Sequence, residues 1–100
     1  MYKVILLYPP PSDPERFRRH YLATHVPLCR KVPGRLRFSY GLGPEALGAD
    51  SPWFCVFESE FASEAAWRDA MTSPEALAAR ADVAKFTDRL PTMIAYTMAG

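Results

Sequence analysis

The chain has 100 residues, with 12 basic and 11 acidic side chains, a formal net charge of +1 and a hydrophobic share of 49%. That length supports one domain, residues 1–100, with a modest core, and the hydrophobic share excludes a disordered chain. Acids and bases are interspersed with no basic stripe, which argues against a dedicated nucleic-acid binder.

The first run, Tyr2 to Tyr8 (YKVILLY), predicts a strand that stops at Pro9-Pro10-Pro11, where the ladder loses its donors. No charged segment precedes a long apolar one, so no secretory signal is expected. Asp13-Pro14-Glu15 opens a helix: Asp13 can cap it, Pro14 suits its first position, and Glu15 favours its positive end. The helix runs through ERFRRHYLATH and is expected to end near Thr24 or His25, because Pro27 disfavours the helical region at Val26. Pro33-Gly34 predicts a turn. Arg35 to Leu42 alternates, with Leu36, Phe38, Tyr40 and Leu42 on one side and Arg35, Arg37, Ser39 and Gly41 on a solvated one.

Gly43 to Pro52 is a loop by composition. Trp53 to Phe61 (WFCVFESEF) predicts the strongest strand. Ser63 and Ser73-Pro74-Glu75 each open an alanine-rich helical segment, the second continuing through Phe86 towards Leu90. After Pro91, Thr92 to Met98 reads as the last strand. No apolar run approaches the roughly 20 residues that span a bilayer, so no membrane partner is expected. Cys29 and Cys55 fit no metal spacing and, without an export signal, are expected to be reduced in the cytoplasm. The Ala- and Arg-rich helices suggest a bacterial source.

The order β-α-β-β-α-β fits a ferredoxin-like α+β fold, a four-stranded antiparallel sheet with helices on one face. A half-covered sheet should alternate apolar with polar residues. Here both faces are apolar: Val4 and Leu6 oppose Ile5 and Leu7, and Ile94 and Tyr96 oppose Met93 and Ala95. Helices cover one face only, so the other predicts a sheet-to-sheet homodimer. Partial cover by the loop Gly43 to Pro52 is the alternative.

On a helical wheel Phe17, Tyr21, Leu22 and Leu28 share one arc, and His25 falls inside it. His20 falls outside it, towards solvent. An inward histidine must find a polar partner or line a wet cavity, and its pKa suits it to general acid–base work. The pattern equally allows a helix-end histidine bonded to a loop carbonyl. Tyr21 lies one turn earlier and can share a cavity wall with His25. Phe17, Leu28, Trp53 and Phe57 are the expected apolar lining of a small-molecule pocket between sheet and helices. Glu58 and Glu60 share a strand face, where an exposed strand end accounts for them. No glycine-rich phosphate loop, G-x-S-x-G or Cys/His cluster is present, so neither a nucleotide nor a metal cofactor is expected.

The segment FRRHYLATHVPL, the following Pro33-Gly34 and the later SPEALAARADVAKF resemble the EthD family over essentially the whole chain. Phe17, Tyr21, His25, Pro27 and Leu28 carry the most specific part; the Ser73-Pro74-Glu75, Asp82 and Phe86 set is weaker support. The resemblance implies a dimeric α+β barrel with a small-molecule pocket beside the first helix in each subunit, and places the family's recurrent histidine at His25. Relatives include methylmuconolactone methylisomerase, and the wider superfamily holds cofactor-free monooxygenases and haem-degrading proteins. The expected function is a cofactor-free enzyme acting by proton transfer on a carbonyl, lactone or aromatic metabolite, of isomerase, cyclase or oxidoreductase type. His25 would move the proton and Tyr21 would position it. A non-catalytic ligand-binding accessory protein and a haem-handling barrel are the alternatives.

Overall fold

The computed structural model describes residues 1–100. β1 (Tyr2–Tyr8), β2 (Arg37–Leu42), β3 (Cys55–Phe61) and β4 (Thr92–Thr97) form one antiparallel sheet in the order β2-β3-β1-β4. α1 (Pro14–His20), a π-helical turn (Tyr21–His25) and α2 (Val26–Arg30) join β1 to β2. α3 (Glu64–Ala70), α4 (Pro74–Asp82) and a 3-10 turn (Val83–Lys85) join β3 to β4. This is the ferredoxin-like α+β arrangement. No helix is long and apolar enough to cross a membrane.

The helix starts follow their caps. Asp13, Ser63 and Ser73 each accept from a backbone N–H three residues on, those of Arg16, Ala66 and Ala76, at 3.1 Å. Each removes one of the orphan donors of a first turn.

The first helix does not end at Thr24 or His25. It passes Pro27 and stops at Arg30. A proline inside a regular α-helix loses its own bond and clashes with the carbonyl four residues back. Here the turn before it widens: the Val26 N–H reaches the Tyr21 carbonyl, five residues away. The wider turn gives room for the ring and changes the angular spacing of the side chains. Val26, which a regular wheel puts opposite Phe17, is accordingly buried with Tyr21 and His25, whereas Leu22, placed on the buried arc, is exposed.

The second helical segment is shorter than its alanine content suggests. α4 ends at Asp82, and the chain tightens into the 3-10 turn before Phe86. Arg16 of α1 donates from Nε to the Lys85 carbonyl (2.9 Å) and from Nη2 to that of Ala84 (3.3 Å), satisfying two carbonyls that the ended helix leaves free. β2 and β3 begin at Arg37 and Cys55, each two residues later than the alternation implies.

Tyr2, Val4, Leu6 and Tyr8 of β1 face the helices beside Cys55, Phe57, Ser59 and Phe61 of β3. The core on this side has three groups, around Tyr2, Val4 and Phe61, around Tyr8, Phe17, Tyr21 and Phe86, and around Cys29, Phe57 and Ala79. The opposite face carries Ile5, Leu7, Val56, Ile94 and Tyr96 with no helix against it. The loop does not supply a cover through Leu47, which is fully exposed.

Candidate functional site

A cavity of about 340 Å³ lies between the sheet and α2, α3 and α4, and draws its walls from all three core groups. That size lies at the lower end of small-molecule sites. Val4, Leu6, Phe57, Phe61 and Met93 form the sheet wall, and Cys29, Val32, Ala76 and Ala79 the helix wall. Polar side chains on it are few: Tyr8, His25, Arg35, Ser59 and Arg80.

His25 is 4% exposed at the end of the π-helical turn. Its Nδ1 lies 3.0 Å from Oδ2 of Asp82, the last residue of α4. His20, the last residue of α1, places Nε2 2.9 Å from the other carboxylate oxygen. His20 is therefore half-buried in a bonded group rather than solvated, because Asp82 gives it an acceptor. Burial pushes the Asp82 carboxyl up, but the two imidazole hydrogen bonds outweigh it and hold the group below its ordinary 3.8. An ionised carboxylate only accepts, so His25 donates Nδ1–H and its Nε2 carries the lone pair. That Nε2 has no partner in the chain and is not sealed from the cavity.

Burial lowers the His25 pKa below 6.5, and the hydrogen bond and charge of Asp82 oppose but do not reverse this. His25 is neutral at neutral pH, with a carboxylate ready to stabilise its protonated form. This is the arrangement of a general base whose tautomer is fixed by a third group. Around it, Phe86 packs at 4.6 Å between ring centroids and Tyr21 stacks at 5.5 Å with 29° between planes.

Tyr21 is fully buried and does not line the cavity; its hydroxyl is sealed without a partner. Burial and the neighbouring Cys55 push its ionisation well above the ordinary range, so it stays neutral. Phe17 is fully buried behind it, stacked on Tyr21 and edge-on to Phe86 and Phe54. Leu28 packs against the Cys29–Phe57–Ala79 group, and neither it nor Trp53 lines the cavity. Of the six residues singled out in the sequence, His25 and Phe57 meet at the cavity wall. Both thiols are unpaired and buried; burial raises Cys29 and pushes Cys55 up to about 11, which leaves neither as a nucleophile. No group of three or more His, Cys, Asp or Glu side chains is placed to hold a metal ion.

Asp82 and Arg35 are the residues that alternation and wheel geometry missed as site groups. Asp82 follows Ala76 and Ala79 at three-residue spacing, so a charge lies on the buried stripe of α4, a signal the sequence does contain. Strand alternation puts Arg35 on the solvated side with Arg37. It precedes the start of β2 and follows Gly34 at φ +80°, so strand alternation does not extend to it. Arg37 does face the open side and pairs with Glu60 at 3.1 Å, while Lys3 lies 3.9 Å from Glu58. Arg35 instead lies over Phe57, Phe38 and Phe61 at 5.3, 5.5 and 5.7 Å from their centroids.

The EthD domain profile matches residues 9–90. An uncharacterised 11.0 kDa protein of the thcB–thcC intergenic region of Rhodococcus erythropolis is 36% identical over 94 residues, covering 94% of this chain and 91% of its own. The crystal structure of an EthD family protein from Bacillus halodurans superposes with a TM-score of 0.88 at 29% identity, over 99% of both chains. SnoaB of Streptomyces nogalater, a cofactor-independent oxygenase, shares the fold at a TM-score of 0.68 and 13% identity, over 99% of this chain and 93% of its own. With the profile spanning most of the sequence and the similarity running nearly end to end, the chain belongs to the EthD family.

Proposed function

We propose that this protein is an enzyme that binds a small carbonyl, lactone or aromatic metabolite in the cavity and transfers a proton through His25, without a bound cofactor. The observation that carries this is one imidazole with two environments: Nδ1 on the buried Asp82 carboxylate, Nε2 free on an apolar wall. Nε2 takes a proton from an acidic C–H or O–H of the ligand. The imidazolium so formed is held by Asp82, and the apolar walls keep competing water away. Returning that proton to a different atom completes an isomerisation or cyclisation with no other reactant. An oxidation would begin with the same deprotonation and would need dioxygen as co-reactant, a route supported by the fold shared with the cofactor-independent oxygenase. Tyr21 and Asp82 are positioning residues in this reading: the first packs the imidazole face, the second fixes its tautomer. Phe57 contacts the ligand, while Phe17 and Leu28 support the wall from behind and Trp53 takes no part.

The protein acts as a homodimer joined through the open sheet faces, and the two free thiols suit the reducing cytoplasm. The test of the chemistry is His25→Gln, assayed on candidate lactones and enolisable carbonyls. Loss of at least a hundredfold in turnover, with unchanged ligand affinity, is expected for a proton-transfer role. Retained turnover in the variant would overturn the proton-transfer role of His25, and ligand binding with no turnover by the wild type would leave a ligand-binding accessory protein.

A further inference from the structure

The charges on the cavity wall are one-sided. Arg35 and Arg80 line it beside the neutral His25, and no Asp or Glu does. Arg80 is exposed, whereas Arg35 is largely enclosed by the three phenyl rings. Arg35 has no ion pair. Its single hydrogen bond runs from Nη1 to the Cys29 carbonyl at 2.6 Å, and its Nε is sealed from solvent with no acceptor at all. Rings occupy the face of the guanidinium, so its remaining donors need an acceptor in the plane. Ser59 provides the neighbouring polar group. It is 3% exposed, lies between Phe57 and Phe61 on the same face of β3, and its hydroxyl has no partner in the chain. Arg35 and Ser59 both line the cavity, Arg35 against the rings of Phe57 and Phe61 that flank Ser59 on β3.

We propose that Arg35 and Ser59 form a carboxylate-binding subsite, so that the cavity takes a small apolar or aromatic carboxylate. The carboxylate accepts from the guanidinium, whose planar fork matches it, and from the Ser59 hydroxyl. The carbon skeleton lies against Phe57, Val4, Leu6 and Met93. This rests on the reading of the cavity as the ligand site of His25 and adds the charge of the ligand to it.

The test uses benzoate, phenylacetate and cyclohexanecarboxylate, each paired with its primary amide. Binding is followed by titration calorimetry and by the methyl resonances of Met71 and Met93, which report occupancy of the cavity. Each acid is expected to bind at least tenfold tighter than its amide. Arg35→Met, which keeps the apolar stem over the rings, should bring the acids to the amides' level and leave the amides unchanged. Arg35→Lys should restore part of the preference, and Arg80→Ala should alter it less than twofold. The wild-type comparison decides alone if the Arg35 variants do not fold. Equal binding of acid and amide overturns the subsite and leaves the cavity reading intact. Loss of the preference in Arg80→Ala but not in Arg35→Met also overturns it. No binding by any probe overturns both readings.

Discussion

Asp82 is the residue on which the site turns, because one buried carboxylate serves two imidazoles. Its removal in Asp82→Ala leaves two donors without an acceptor, a cost of about 1–3 kcal/mol. Asp82→Asn keeps the volume but offers one acceptor oxygen and no charge. It should lower the His25 pKa further, since the carboxylate now opposes the effect of burial. Turnover is expected to fall about tenfold to a hundredfold, the range for losing an orienting partner. The acid limb of the kcat/KM profile should move to lower pH. The same groups set the pH dependence of stability. His25 has a folded pKa below its ordinary 6.5. As pH falls through 6.5 the unfolded chain therefore takes up the proton first, and stability declines until the folded pKa is passed. Asp82 stabilises fully above 3.8 and loses its contribution as pH falls through its lower folded value. Urea midpoints should thus be level at neutral pH and drop in acid. His25→Gln should flatten the upper part of that drop and leave the lower part, a difference visible in a pH series of denaturation curves.

At the scale of elements, the π-helical turn and the end of α4 together bring His25 to Asp82. The segment after the 3-10 turn adds Phe86, which touches Tyr8, Phe17, Tyr21 and both histidine rings. Phe86→Ala should cost about 3–5 kcal/mol, since this fully buried ring leaves a cavity its neighbours cannot all refill. Urea denaturation measures the loss; a cost below about 1.5 kcal/mol would mean the aromatic group repacks. The strands, their order and the helix starts were legible because alternation, proline stops and serine or aspartate caps are local signals. The inward aim of His25 was legible for the same reason. The continuation past Pro27 was not, because a widened turn depends on packing of the whole helix against the sheet. Val26 shows the consequence, buried where a regular wheel turns it outward. The bonds from His20 and His25 to Asp82 span more than 50 residues of sequence, so no window of local periodicity contains them.

For the whole molecule the unresolved demand is the bare face of the sheet. Ile5, Leu7, Val56, Ile94 and Tyr96 form its apolar centre, with Ile94 46% and Tyr96 45% exposed. Arg37 with Glu60 and Lys3 with Glu58 lie on the same face as salt-bridged pairs. An apolar centre with charged pairs beside it is the composition of a protein interface rather than of a solvated sheet. A chain of this length also gains disproportionately from burying a second surface, because its own core is small relative to its area. The cavity lies on the opposite, helix-covered side, so pairing through the bare face leaves the ligand site intact. Sedimentation at micromolar concentration should therefore give a dimer. Ile94→Asp places a charge on the apolar part of that face, where pairing would desolvate it without a partner. It should yield monomer with lowered stability, while benzoate binding in the folded fraction persists. A wild-type monomer, or a dimer that Ile94→Asp leaves intact, would place the subunit contact on another surface.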